Sequence, residues 1–256
     1  MCKDIRDEQE KKNNVHPLKA EKLNYSDSPD ELRKFLLAAN VITVVREKLG
    51  RFPFHLFDKQ NITSLEHIHP QNITDVTSAM SPLEIKEWID NRLNDLKCII
   101  GQESNETDKI TDNDRMLLED FFREDNKWMT QKHLDDNSDA WQKILPVINK
   151  IDRQFGDLAE IDVQELHSIK NMALVTQEAN SALSNHYLSI KRSILINRVS
   201  EKEEYLMPLT DRAFSKYYTV AAKEQTGDMR LWRKEDRNRY FDALCDIYND
   251  LTVYDK

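Results

Sequence analysis

Glu66 and His67 stand side by side in the run Glu66-His67-Ile68-His69-Pro70, a carboxylate next to an imidazole where a short apolar strand meets a turn. A carboxylate binds a hard cation, which prefers oxygen ligands, and an imidazole takes a proton from water near neutral pH. The pair therefore has the elements of metal-assisted hydrolysis. Neighbouring strand residues point to opposite faces, so both serve one site only if the chain twists on leaving the strand, and Pro70 is placed to enforce that. An acid-histidine pair before a proline carries little weight alone. A second cluster adds to it: Asn171 opens an apolar strand, Met172 to Val175, and Asn180 follows nine positions later, past a turn into a helix. Strand, turn and helix could fold over the His67 strand. Asn180 would then offer an amide oxygen to the same metal, and Asn171 would hold either the turn or the general base. Asparagine is neutral, so one bound metal keeps positive charge for a phosphate oxygen.

Other candidates surround these four. His167 precedes the Asn171 strand and is a candidate for a supporting role around the site. Lys170 adjoins Asn171, Asn185 and His186 follow Asn180, and Lys191 and Arg192 form a basic pair beyond them; Lys170, Lys191 and Arg192 are candidate phosphate contacts. His69 is expected on the far side of the turn from His67. His16, His55 and His133 carry no such context, and Trp88, Trp128, Trp141 and Trp232 fall on apolar helix faces that predict core rather than base-stacking platforms.

The elements that must position these residues are mostly helical. Only 4 Gly and 7 Pro occur in 256 residues, which favours long helices over strands and turns. Residues 1–27 are polar, without apolar periodicity, and read as a flexible arm. From Ser28 an N-cap, Pro29 at the first helical position and acids in the first turn open a helix that closes at Gly50, with Leu32, Phe35, Leu36, Ala39, Ile42 and Val45 as its core stripe. Residues 51–72 alternate apolar positions and read as a strand ending in a turn. Amphipathic helices are expected over 81–101, 111–134 and 137–156, and the C-terminal stretch reads as helical throughout.

Composition bounds the function. Hydrophobic residues make up 39% and charged residues 32%, a globular but surface-rich balance. Cys2, Cys98 and Cys245 are too scattered for a disulfide framework or a zinc knuckle, which predicts a reduced, cytoplasmic setting. The charged N-terminus has no apolar signal region, and no apolar run approaches the roughly 20 residues that span a bilayer. The net charge of −9 sits awkwardly with nucleic acid, whose phosphates call for Lys and Arg. A local basic patch or a partner must compensate. The richest supply is Lys191, Arg192, Arg198, Lys202, Arg212 and Lys216, then Arg230, Arg233, Lys234, Arg237 and Arg239, although solvated helix faces account for such runs as well.

The segments RFPFHLF, SLEHIHPQN, HSIKNMALVTQEANSALSN with the following IKR, and FSKYYT together resemble the ββα-metal, or HNH, nuclease superfamily. More narrowly they resemble the HNH domain at the C-terminus of GmrSD-type modification-dependent restriction enzymes. The Asn171-to-Asn180 interval and the EHIxPQ form also match the HNH domain of RNA-guided CRISPR nucleases. The resemblance covers roughly residues 28–220. It implies a mainly α fold with a small β-hairpin, its ββα-metal core split by and embedded in a helical domain. The nuclease domain would span 28–220 with a helical insertion at 73–160, and 221–256 would pack on it as a C-terminal helical segment.

By that resemblance His67 is the general base, Glu66 and Asn180 hold one Mg2+ or Mn2+, and Asn171 is the orienting asparagine. Glu66 stands where many HNH enzymes have Asp, and Lys170 where relatives commonly have Gly. The implied activity is endonucleolytic hydrolysis of DNA in defence against foreign or modified DNA. The chain contains no GxxxxGK[ST] loop, so an NTPase or modification-sensing partner, or a further domain, is expected. Competing readings are a metal-dependent RNase and a non-catalytic DNA- or protein-interaction module on an HNH scaffold.

Overall fold

The computed structural model describes residues 20–71, 76–100, 110–201, 205–217 and 229–251. Its contacts divide into two compact units, one formed by 1–71 with 161–256 and the other by Asn72–Glu160. The protein is mainly helical with one two-stranded antiparallel sheet. No described helix is long and apolar enough to cross a membrane.

In the first unit, α1 (Pro29–Arg46) follows N-cap Ser28 with Pro29 in its first turn, as its sequence predicts. It ends four residues before Gly50: Lys48 takes the left-handed turn at φ 54, and Leu49 N–H closes on Val44 O at 3.0 Å. The alternating stretch after it is not strand from the start. Pro53 opens a short helix, α2 (Phe54–Lys59), with Leu56 N–H and Phe57 N–H donating to Pro53 O, and only Ser64–His67 form β1. After α3 (Pro82–Ile100), α4 (Asp112–Phe121) and α5 (Asp139–Ala159) of the second unit, the chain returns with α6 (Val163–Leu166), a 3-10 turn (Ile169–Asn171) and β2 (Met172–Val175). Then come α7 (Gln177–Leu183), α8 (Leu188–Ser200), α9 (Pro208–Ser215) and α10 (Lys234–Leu251).

β1 and β2 pair in the register Ser64↔Val175, Leu65↔Leu174, Glu66↔Ala173 and His67↔Met172. A two-stranded ribbon is marginal in water, and helices supply what it lacks. Every residue of β2 is buried, in a core built from Leu32, Leu36 and Ala39 of α1, Leu209 and Phe214 of α9, and Tyr240 and Leu244 of α10. Carbonyls of this segment not used by β1 are met by side chains: Thr210 Oγ1 donates to Leu174 O (2.6 Å), Tyr240 OH to Met172 O (3.1 Å) and Trp232 Nε1 to Lys170 O (3.1 Å). The open edge is thereby satisfied without a third strand.

The end of the expected flexible arm is part of this unit. Ala20 is buried, Tyr25 N–H donates to His167 O at 2.8 Å, Ile169 N–H donates to Leu23 O at 3.1 Å, and Asn24 bridges Ser168. Residues 20–27 are therefore a strap along the 167–169 backbone; residues 1–19 of the arm lie outside the described residues, as do 218–228 and 252–256.

The second unit contains α3 (Pro82–Ile100), α4 (Asp112–Phe121) and α5 (Asp139–Ala159). Ser81 with Glu84, and Thr111 with Asp114, form capping boxes at the first two. The expected helix over 111–134 stops at Phe121. Trp128 folds back on Phe121, rings stacked at 5.1 Å, and its indole donates to Phe121 O at 2.8 Å, so the apolar pattern continues while the helix does not. Trp88, Trp141 and Trp232 are all core residues.

Thr210→Val is expected to cost about 1–3 kcal/mol, because Leu174 O is left buried without a donor in a side chain of nearly unchanged shape. Urea denaturation of the two proteins measures it, and equal midpoints would show that the edge carbonyl needs no partner.

Candidate active site

β1 carries Glu66 and His67, 5% and 8% exposed, and both line one cavity of about 250 Å³ together with Tyr25, Gln71, Asn180, Ser184 and Asn185. Adjacent strand residues share this cavity because His67 is the last residue of β1 and the chain turns immediately after it. Asn171 fixes the turn. Its Oδ1 accepts from His69 N–H at 2.7 Å, and its Nδ2 donates to His69 O at 3.0 Å and to Leu166 O at 2.8 Å. The residue is fully buried. Of the two roles open to it from sequence, holding the turn is the one its bonds perform.

Lys191 departs from expectation. It is completely buried, in the first turn of α8, with Nζ 2.5 Å from Glu66 Oε1 and 2.6 Å from His67 O. A side chain committed to a buried carboxylate and a strand carbonyl is not a phosphate contact but an internal counter-charge. Burial raises the Glu66 carboxyl above its ordinary value, and Lys191 opposes that rise. Glu66 Oε2 has no hydrogen-bond partner among the described residues.

His67 is held neutral. Burial first, then the neighbouring His167 and Lys191, bring its pKa down to about 3. His67 Nε2 lies 3.1 Å from His167 Nδ1, and the Tyr25 ring meets the His67 ring edgewise at 4.9 Å. His69, buried with Nε2 unpartnered, is brought down to about 3 by its own burial and by Arg237, Lys191 and His67. It faces away from the cavity, against Tyr187 at 6.0 Å.

Asn180 reaches the cavity from α7, whose N-cap Thr176 accepts from Ala179 N–H. The remaining expected phosphate contacts are not gathered here. Lys170 pairs with Glu21 at 3.0 Å and lies over the Phe241 ring, and Arg192 does not line the cavity. Part of the basic supply around them is engaged in ion pairs: Arg198 with Glu178, Arg212 with Glu47, Lys216 with Asp236, Arg237 with Glu165 and Arg239 with Glu235. Lys202 lies outside the described residues.

Tyr25, Gln71 and Ser184 were not singled out from sequence. Gln71 sits in the EHIHPQ run that carries the resemblance, whereas Tyr25 is a lone aromatic in a polar stretch and gave no periodic signal. Among the described residues no group of three or more His, Cys, Asp or Glu side chains is placed to hold a metal. The cavity instead offers one carboxylate, Glu66, with the neutral oxygens of Asn180, Gln71, Asn185 and Ser184. That donor chemistry fits a hard divalent cation that keeps much of its water rather than a soft one. No family model, no curated protein and no solved structure matches the chain.

Two outcomes follow from this geometry. Asn171→Asp removes both amide donors and sets a carboxylate against two carbonyls, so unfolding should become easier by about 2–5 kcal/mol in denaturant titration; an unchanged midpoint would mean the turn holds itself. His67 and His69 have folded pKa values below the ordinary 6.5. The unfolded chain therefore binds protons that the fold refuses. Stability is complete above about pH 6.5 and falls toward about pH 3, by up to about 1.4 kcal/mol per pH unit for each histidine. Stability that does not change across this window would contradict two buried neutral imidazoles.

Proposed function

We propose that this chain is a metal-dependent endonuclease of the HNH type that hydrolyses DNA phosphodiester bonds. The observation that carries the reading is the convergence of Glu66, His67 and Asn180 on one cavity. An antiparallel pair and the helix that follows it bring them together, and Asn171 ties the turn beneath. A carboxylate, a neutral imidazole and an amide around this space suit backbone hydrolysis better than nucleophile-based chemistry, since no cysteine lines it and Lys191 is committed to Glu66 and the His67 carbonyl.

Glu66 and Asn180 would hold Mg2+ or Mn2+, which when bound supplies charge stabilisation to the phosphate and its leaving oxygen. His67 takes the proton from the attacking water. A base with a pKa near 3 is weak at neutral pH, and two of the influences that depress it are the positive field of Lys191 and the neighbouring His167. A phosphate anion entering the cavity opposes that field and raises the proton affinity of His67 as substrate arrives. Lys191 opposes the rise that burial imposes on the Glu66 carboxyl, and Asn171 keeps the strand end and its turn from relaxing.

With Lys191, Arg212, Lys216 and Arg237 committed to acids inside the fold and a net charge of −9, the chain is poorly supplied with free cations to hold DNA. We assign that task to a partner or further domain, of the kind that would also supply NTP hydrolysis or modification sensing, in a cytoplasmic defence system. The buried Lys191–Glu66 pair favours one other reading, a non-catalytic interaction module on this scaffold, because half of the carboxylate is already engaged.

Incubating supercoiled plasmid, unmodified and cytosine-modified, with Mg2+, Mn2+ or EDTA separates the two. Metal-dependent nicking that falls by at least about 10²-fold in His67→Ala is expected. No cleavage of any substrate, with no Mn2+ bound by calorimetry, would sink the nuclease in favour of the module.

A further inference from the structure

We propose that His167 is the positioning residue for His67: His167 Nδ1 accepts a hydrogen bond from His67 Nε2, which leaves His67 Nδ1 as the free lone pair at the cavity. The inference rests on the nuclease reading, in which His67 is the base.

Three rings meet behind the cavity. Tyr25 is edge-on to His67 (4.9 Å, 63°) and stacked with His167 (6.1 Å, 19°), while His67 and His167 stand nearly perpendicular at 5.2 Å. Two ring nitrogens 3.1 Å apart require one proton between them, since two lone pairs at that distance repel. With one proton on each ring, two arrangements satisfy the contact. In one, His67 carries its proton on Nε2 and donates, and His167 carries its own on Nε2 and accepts through Nδ1. In the other, both protons move to Nδ1, His167 donates, and His67 presents an N–H to the cavity and has no lone pair there.

Intrinsic chemistry separates the two. A neutral histidine side chain in water prefers the proton on Nε2, so the first arrangement keeps both rings in the favoured form and the second puts both in the other. The charged groups around His67 are Glu66 on its own strand and Lys191 from α8, with His69 after the strand, Arg237 from α10 acting on His69, and His186 acting on Glu66. Lys191 Nζ binds the His67 carbonyl. His67 Nδ1 has no hydrogen-bond partner among the described residues. Which nitrogen of a histidine acts is set by what the other one is bound to, and here that partner is a second imidazole.

The main chain pins His167 on both sides. Its carbonyl accepts from Tyr25 N–H, its N–H caps α6 on Glu165 O, and the carbonyl of the preceding Leu166 accepts from Asn171. The residue that holds the His67 turn thus also fixes the backbone that presents His167, so the base and its support keep one spacing.

The full-length chain, labelled with ¹⁵N, tests this by long-range ¹H–¹⁵N imidazole spectra. Wild type should show His67 protonated on Nε2 and bare on Nδ1. In His167→Ala the Nε2 proton should lose its protection from exchange; His167→Gln, whose side-chain carbonyl can accept, should restore it. In plasmid cleavage the Ala variant should lose roughly 10–100-fold in kcat with KM little changed, as loss of a partner that orients a histidine does, and the Gln variant should recover most of it. A wild-type His67 protonated on Nδ1, or an Nε2 proton unaltered by His167→Ala, overturns the assignment. Should the Ala variant not fold, wild type and His167→Gln decide it alone. The spectra need neither metal nor DNA. A chain that shows the expected proton but neither cuts DNA nor binds Mn2+ by calorimetry therefore refutes the nuclease reading and leaves the pairing established.

Discussion

The antiparallel ladder between Ser64–His67 and Met172–Val175 joins residues far apart in sequence, with a helical unit of its own in between. Four residue pairs are a short ladder for that separation. Its reach is extended by Ile68 N–H donating to Asn171 O and by the side chain of Asn171, which binds both backbone groups of His69. Take these bonds away and His67 becomes the end of a fraying strand. The helices depend on the same ladder, because β2 is the wall on which α1, α9 and α10 bury their apolar faces.

The second constraint is electrostatic. A carboxylate 5% exposed is costly unless something answers its charge, and Lys191 does so from a position where no solvent reaches it. The same ammonium binds the His67 carbonyl and depresses the imidazole. One cation thus opposes the rise that burial imposes on Glu66 and adds to the burial and the His167 neighbour that lower His67, opposite effects on two adjacent residues.

What was legible in the sequence was local. Pro29 after Ser28 and the Met172–Val175 run each announce an element because the signal lies within a few residues of its effect. The positions of Glu66, His67, Asn171 and Asn180 were legible as a pattern. The register that brings them together was not, since no single stretch encodes which residue of β1 faces Met172. Phe54–Lys59 misled because alternating aromatics fit a strand as well as a short helix begun by Pro53. The segment after Phe121 misled because Trp128 keeps helical spacing while its indole caps the turn that ends the helix. Lys191 looked like a surface charge in a basic pair, and only packing could reveal that its partner lies across the chain at Glu66. Tyr25 was illegible for a similar reason: its role exists only where the strap lies along His167.

The order in which the chain is made bears on the site. The Asn72–Glu160 unit is contiguous in sequence and can fold as soon as it has left the ribosome, whereas β1, completed before it, has no partner until Val175 has been added. Thr210, Trp232 and Tyr240, which satisfy the open edge, come later still. Non-local pairing of this kind is slow to form. A polypeptide released early would contain Glu66, His67 and even Asn180 in its sequence yet lack the assembled cavity. The cavity and the edge that supports it thus assemble only after both halves of the ladder and the residues up to Tyr240 have been made, a timing written into the topology.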